Sequence, residues 1–367
     1  MQIAIVGLAA AGKTTVFNTL TRGHAETGGF GGLQLNVGVV KVPDPRLDRL
    51  AGLFKPKKVV QADVTYVDLP APPASSEGRV GTEELPAEHL ARLRDSDALL
   101  HVVRVFDDPA VPHAEGSVDA WRDLERLDLE FILADLAMTE RRLDRLRTSG
   151  RHGSQAERDA NEREEAILGR LQEGLVEGRP IRDLELAGDD EKAIRGFRFL
   201  TQKPVLVLLN VGEADIPREA ELVAGIAGRY DHRHALVDAL SAKIEMELGE
   251  LDPDEAGVFM DDLGLSGSSL DRVIALSYRL LGLISFLTAG PDEVRAWPIP
   301  NGSTAVDAAG VIHTDLARGF IRAETVSYAD LVELGSTAEA RKHGKLRSEG
   351  KTYVVHDGDV LEILFSR

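Results

Sequence analysis

Cysteine is missing from this chain altogether, which excludes a disulfide scaffold, a Cys-ligated zinc site and thiol catalysis. Long apolar runs are missing too. None approaches the roughly 20 residues that a membrane-spanning helix requires, so no membrane partner is expected. The N-terminus shows no basic leader ahead of its first apolar stretch, which reads against a signal peptide and for a cytoplasmic protein. Positive charge is in short supply: 43 Lys and Arg stand against 61 Asp and Glu, a net charge of −18. Such a field repels nucleic acid as a whole and speaks against sequence readout of DNA, while leaving room for a local basic face. The 367 residues suffice for two or three domains with sizeable cores.

What is present begins at the N-terminus. Ile3 to Val6 reads as a buried strand, and a helical pattern starts at Lys13. Between them, Gly7-Leu8-Ala9-Ala10-Ala11-Gly12-Lys13-Thr14 has the spacing G-x-x-x-x-G-K-[ST] of a phosphate-cradling loop, in the strand-to-helix context that such a loop needs. Gly7 and Gly12 let the backbone wrap, so that the N–H groups from Ala9, Ala10 and Ala11 through Gly12, Lys13, Thr14 and Thr15 face phosphate oxygens. The following helix adds its positive end. Lys13 would reach the outer phosphates, and the Thr14 hydroxyl would take a place on Mg²⁺. A Gly/Ala-rich turn could meet the pattern by accident, but rarely just after a strand.

Further along, Leu35–Val42 and Lys58–Val67 read as strands around a helix initiated at Pro43 to Pro45. Asp68 follows the second of them, where a nucleoside triphosphatase places its magnesium-side aspartate. Ala98–Val105 is a further buried strand. From Trp121 apolar residues recur at helical spacing, break at 150–154 and resume at Ile167 to Leu175, which makes an antiparallel helical hairpin with a solvated, charged surface. Strand character returns at Lys203–Asn210, so the hairpin is an insertion. Asn210-Val211-Gly212-Glu213 and Ser241-Ala242-Lys243 then stand where a GTPase-type fold keeps its base-reading loops.

The remainder reads as strands at 284–288, 295–299, 320–326, 352–356 and 357–365 around one helix at 304–309, a compact α+β module. The expected fold class is therefore α/β. A P-loop domain of 1–120 and 196–280 has a mostly parallel sheet, 121–195 is the helical insertion, and 281–367 is the terminal module.

Taken together, the chain resembles the YchF-type, Obg-like ATPases. The resemblance rests on Asn36-Val-Gly-Val-Val, Pro43-Asp-Pro-Arg-Leu-Asp, Lys55-Pro-Lys-Lys-Val-Val and His101-Val-Val-Arg. It continues in Leu263-Gly-Leu, Thr288-Ala-Gly-Pro-Asp-Glu-Val-Arg-Ala-Trp297, Ala309-Gly-Val-Ile-His-Thr-Asp315, Gly319-Phe-Ile-Arg-Ala323, Gly344-Lys-Leu-Arg-Ser-Glu-Gly-Lys-Thr-Tyr353 and Asp357-Gly-Asp-Val. It implies a GTPase-type domain, an inserted helical domain and a C-terminal TGS domain with a β-grasp fold. It also implies Mg²⁺, hydrolysis of ATP in preference to GTP, and a ribosome or RNA partner at the TGS domain.

Base choice can be argued beside that. A GTPase reads guanine with the aspartate of Asn-Lys-x-Asp; here Asn210, Val211 and Glu213 occupy those places. Glu213 is one methylene longer and displaces the bidentate fit, which is enough to forfeit about 1–3 kcal/mol of discrimination. Ser241-Ala242-Lys243 keeps the GTPase form, so GTP and GDP stay open beside ATP and ADP.

Departures from the family lie in the switches. Gly32 stands where a magnesium-sensing threonine is usual, and Asp68-Leu-Pro70-Ala71-Pro72-Pro73 replaces Asp-x-x-Gly. Asp68 would still hold Mg²⁺ through water. Lys13 is the first catalytic candidate. His113 aligns with a loop histidine of the family that could position water, although a loop histidine is more often an exposed bystander. Two functions are carried forward: a slow ATPase, and a hydrolysis-deficient, nucleotide-loaded scaffold or ribosome-binding module.

Overall fold

The computed structural model describes residues 1–23, 35–69, 86–113, 115–149, 154–265 and 267–366. The chain forms two compact units, one of residues 1–38 with 65–270, the other of residues 39–64 with 271–367.

The order begins with β1 (Gln2–Val6), α1 (Lys13–Thr21), β2 (Asn36–Lys41), α2 (Pro45–Phe54), β3 (Lys58–Val60) and β4 (Asp63–Asp68). It continues with α3 (Ala87–Asp95), β5 (Ala98–Arg104), the long α4 (Ala120–Ser149), α5 (Gln155–Val176) and α6 (Gly188–Ile194). Then come β6 (Val205–Asn210), α7 (Glu219–Ala227), β7 (Ala235–Leu240), α8 (Ala242–Glu250), α9 (Pro253–Asp262) and α10 (Ser269–Leu280).

One six-stranded sheet has the order β2-β4-β1-β5-β6-β7, with β1 parallel to both β4 and β5, β5 parallel to β6 and β6 parallel to β7. Every residue of β5 and of β6 is buried, as the continuous apolar runs of a parallel sheet covered on both faces require. The ends of β1, β4 and β6 therefore deliver Gly7, Asp68 and Asn210 to the turns that follow them.

The insertion folds as the sequence leads one to expect. In α4 and α5, Ile132, Leu143 and Leu146 pack with Ile167, Leu168, Leu171 and Leu175. The helices run antiparallel, since Arg142 meets Glu164 at 2.7 Å and Glu140 meets Gln172 at 3.4 Å. Ser154 and Glu157 close a capping box at the start of α5.

The other unit continues with β8 (Leu283–Ala289), β9 (Glu293–Pro300), α11 (Ala305–Ile312), α12 (Thr314–Arg318), β10 (Phe320–Ser327), α13 (Tyr328–Leu334), α14 (Thr337–Lys342), β11 (Arg347–Glu349) and β12 (Asp359–Phe365). Its sheet has the order β11-β10-β12-β8-β9-β3. Here β12 lies parallel to β8, and the pairs β8/β9, β10/β12 and β10/β11 are antiparallel.

Two expected strands come out differently. The run 58–67 is two strands, because Lys58 to Val60 pair in parallel with Glu293 to Arg295, while Thr65 to Asp68 pair with β1. The stretch 352–356 is no strand: Tyr353 O accepts from Ala305 N at 2.8 Å and Val355 N donates to Ser303 O at 3.0 Å, leaving only a bridge of Val354 to Thr304. The module also holds α12, α13 and α14 beside the one expected helix.

Candidate functional site

The loop after β1 has the backbone that its glycines were expected to permit. Gly7 has φ 153° and Gly12 has φ 90°. A Cβ on Gly7 would lie 2.3 Å from the backbone Val102 O, and one on Gly12 would lie 2.3 Å from Asn210 Nδ2 and would have to displace that amide. Ala10 is also left-handed, at φ 61°. Ala9 and Ala10 are exposed and Ala11 is buried. Gly12 caps α1, whose first turn carries no acidic residue, leaving the helix's positive end unquenched.

Lys13 folds back onto this loop, its Nζ donating to Gly7 O at 3.0 Å and Leu8 O at 2.9 Å. The side chain is partly covered overall, but its ammonium is enclosed. Burial pulls its pKa down from the usual 10.5 to about 8, against the opposing pull of the Asp68 charge. Thr15, the next residue but one, lends its carbonyl to Thr19 Oγ1 at 2.8 Å within α1.

Thr14 Oγ1 donates to Asp68 Oδ2 at 3.0 Å, and Asn36 Nδ2 approaches the same oxygen at 3.3 Å. Asp68 is fully buried, yet its Oδ1 has no hydrogen-bond partner among the described residues. An orphaned carboxylate oxygen beside a hydroxyl is a hard-oxygen donor set and fits Mg²⁺. No cluster of three or more His, Asp or Glu forms a self-sufficient metal site among the described residues. A cation here would thus rely on a ligand's own oxygens as well.

At the base side the predicted residues divide. Asn210 Nδ2 donates to Ala11 O at 3.1 Å, and its Oδ1 accepts from Ala242 N at 3.2 Å. The amide therefore ties the phosphate loop to the Ser241–Ala242 turn. Val211 is buried in the sheet's core, its N–H on Leu240 O at 3.0 Å. Ser241 and Ala242 are buried, while Glu213 and Lys243 are exposed. Lys243 approaches Glu247 at 3.9 Å.

His113 is no exposed bystander. Its side chain is 5 % accessible, with Nε2 2.8 Å from Asp123 Oδ2. Its Nδ1 accepts from Glu115 N at 3.1 Å. Sequence reasoning missed Asp123, which sits in the first turn of α4, ten residues on; nothing in that spacing marks it. It also left Arg104 and His101 without a task. Arg104 is buried and donates to Phe106 O at 3.1 Å and Val111 O at 2.7 Å, so it fastens the loop that leads to His113. His101 is pushed down to about 3, first by burial and then by the charges of Lys13 and Arg182, and stays neutral at working pH. The switch positions Gly32, Pro70, Ala71, Pro72 and Pro73 lie outside the described residues.

Comparison with known proteins agrees with this geometry. A family model described as "50S ribosome-binding GTPase" matches residues 2–134, and the YchF-GTPase C-terminal family, described as a protein of unknown function, matches 283–366. The chain is 41 % identical over 370 residues to the ribosome-binding ATPase YchF of Bacillus subtilis, covering 100 % of this chain and 99 % of that one. It is 35 % identical to Obg-like ATPase 1 of rice (Oryza sativa), covering 100 % of this chain and 92 % of that protein. The solved YchF GTPase of Schizosaccharomyces pombe superposes with a TM-score of 0.85 at 31 % identity, over 99 % of this chain and 97 % of that one. Among the described residues no helix is long and apolar enough to cross a membrane.

Proposed function

The chain belongs to the YchF family, and from that premise we propose that it binds ATP at least as well as GTP, hydrolyses it slowly and associates with ribosomes. The observation that carries this reading is the buried Asp68 carboxylate, one oxygen on the Thr14 hydroxyl at 3.0 Å and the other without a partner among the described residues, beside the phosphate loop. Mg²⁺ would be held there by Thr14 and, through water, by Asp68, and when bound it supplies neutralising charge to the outer phosphates.

The chain's own residues do the rest. The N–H groups of residues 9–15 bind phosphate oxygens, and Lys13 exchanges its two carbonyl partners for the outer phosphates. Asn210 keeps the phosphate loop and the Ser241–Lys243 turn in register. Glu213 faces the base end with a carboxylate whose extra methylene disfavours guanine. His113 is the group that would orient the attacking water. The relatives' name supports the ribosomal partner, and the resemblance assigns that contact to the C-terminal module.

Calorimetric titration with ATP, ADP, GTP and GDP in the presence of Mg²⁺ tests the nucleotide reading; a clear preference for GTP overturns it. Co-sedimentation of the intact chain with ribosomes tests the partner. The intact chain is needed, because deleting 281–367 would strip β9 from β3. A second reading, a nucleotide-loaded scaffold with little turnover, is favoured by the occupation of both His113 nitrogens. Single-turnover phosphate release separates the two.

A further inference from the structure

We infer that Asp123 is a latch: it holds the His113 imidazole withdrawn, and hydrolysis requires the ring to leave it. This rests on the reading that His113 serves hydrolysis, and deepens it.

The hydrogen bonds fix the ring's state. Nδ1 accepts from the Glu115 N–H at 3.1 Å, so it carries a lone pair. The proton of a neutral ring then sits on Nε2 and is donated to Asp123 Oδ2 at 2.8 Å. Both nitrogens are committed. A group that orients or deprotonates water needs one nitrogen free within hydrogen-bond reach of it, and here neither is. Yet the ring is close to where it would work, since His113 and Asp123 line a cleft together with Leu8, Ala9 and Ala11 of the phosphate loop.

The latch itself is braced. Asp123 Oδ1 accepts from Arg122 Nε at 3.0 Å and Nη2 at 2.8 Å. The same guanidinium donates to Ser117 O at 2.8 Å, and Arg126 pairs with Glu115. The segment bearing His113 is thereby pinned to the first turns of α4, the helix that continues as one arm of the hairpin. Among the described residues the Asp123 carboxylate, 4 % accessible, has its hydrogen bonds with His113 and Arg122. A carboxylate that merely orients a working histidine holds one nitrogen and leaves the other free. This arrangement leaves none.

Two measurements on the full-length chain test the latch. The first is the rate of diethyl pyrocarbonate modification at His113, read by peptide mass spectrometry. Asp123→Asn should raise it at least about fivefold over the wild type; equal rates overturn the latch. The second is single-turnover ATP hydrolysis at saturating ATP. Asp123→Asn should hydrolyse about two- to tenfold faster with ATP affinity unchanged, and the double variant with His113→Ala should fall to the level of His113→Ala alone. Slower hydrolysis in Asp123→Asn overturns the latch and makes Asp123 an orienting partner. Should Asp123→Asn unfold, Arg122→Gln, at a side chain already 34 % accessible, loosens the same brace and must shift both readouts in the same direction. If His113→Ala alone hydrolyses like the wild type, the hydrolytic reading of His113 fails, while the modification rate still decides the latch.

Discussion

The phosphate loop and the base-side loops, both in the larger unit, are built from different materials. At the phosphate loop the groups proposed to work are backbone N–H donors shaped by Gly7, Ala10 and Gly12, and the side chains of Ala9 to Ala11 would contribute little but their small size. At the base side the working groups were expected to be side chains, and those are largely engaged already. Asn210 has both ends of its amide on protein partners, and Val211 is in the core. Recognition through backbone survives drift in the side chains that decorate it. Recognition through side chains lasts only where the fold has no prior use for them, which leaves the exposed Glu213 and Lys243.

The sharpest way to break this contrast is Gly12→Ala. An alanine at φ 90° costs about 1–3 kcal/mol of strain. Its Cβ would lie 2.3 Å from Asn210 Nδ2, an overlap worth about another 1–3 kcal/mol. ATP affinity should fall by at least about 25-fold by calorimetry, at about 1.4 kcal/mol per decade. Binding within threefold of the wild type would show that the loop's backbone is not what holds phosphate.

Next comes Asn210→Ala. It strands Ala11 O and Ala242 N, each a buried group costing about 1–3 kcal/mol without a partner. If the amide is a tie between loops, ATP and GTP should weaken together, by roughly 10- to 100-fold. A change of more than about threefold in their ratio would return Asn210 to the task of reading the base.

How much of this was legible follows the range of the interactions. The phosphate loop, Asp68 and the hairpin rest on short-range patterns, and the sequence carries each of them on its face. The pairing of Lys58–Val60 with Glu293–Arg295 spans 235 residues for Lys58 and Glu293, and no proline or glycine marks the break at Gln61–Ala62. The short helices α13 and α14 did leave a local sign, since Ser327 and Ser336 cap them and accept from Asp330 N and Glu339 N. Asp123 left none, because its partner arrives only when the loop after β5 folds onto α4.

A milder test is pH. Lys13 has its pKa drawn down to about 8 in the free protein, from 10.5. Bound phosphates favour the ammonium, so nucleotide binding should be flat below about pH 8. Above it, binding should take up a proton and weaken by up to about tenfold per pH unit toward 10.5. The linkage to folding has the opposite slope. The folded chain sheds the Lys13 proton before the unfolded chain does, so the free protein gains stability over the same window. Calorimetry at about pH 8.5 in two buffers of different ionisation enthalpy measures the uptake. If none is seen, or if Lys13→Met shows the same uptake, the titrating group is not this lysine.

The smallest effect is expected at Ala10, and it separates two things that the phosphate loop combines, shape and stiffness. An alanine in the left-handed region, here at φ 61°, carries about 1–2 kcal/mol of strain that glycine does not. Ala10→Gly removes the strain but widens the unfolded ensemble, which returns about 0.4–1 kcal/mol, so the net gain in stability should be about 0.5–1 kcal/mol. The free loop also becomes looser, and ordering it around phosphate then costs entropy, so ATP affinity should drop by up to about threefold. Ala10→Asn tests the other half. Asparagine tolerates the left-handed region without glycine's freedom, and the position is exposed, with room for the amide. It should stabilise the protein by a similar amount and leave affinity unchanged. Thermal unfolding of the free protein, with ATP titration of each variant beside it, decides the matter. If both variants bind as the wild type does, stiffness contributes nothing and the loop's shape alone accounts for binding. If both destabilise the fold, Ala10 is not strained, and the contrast between the two ends rests on Gly12 alone.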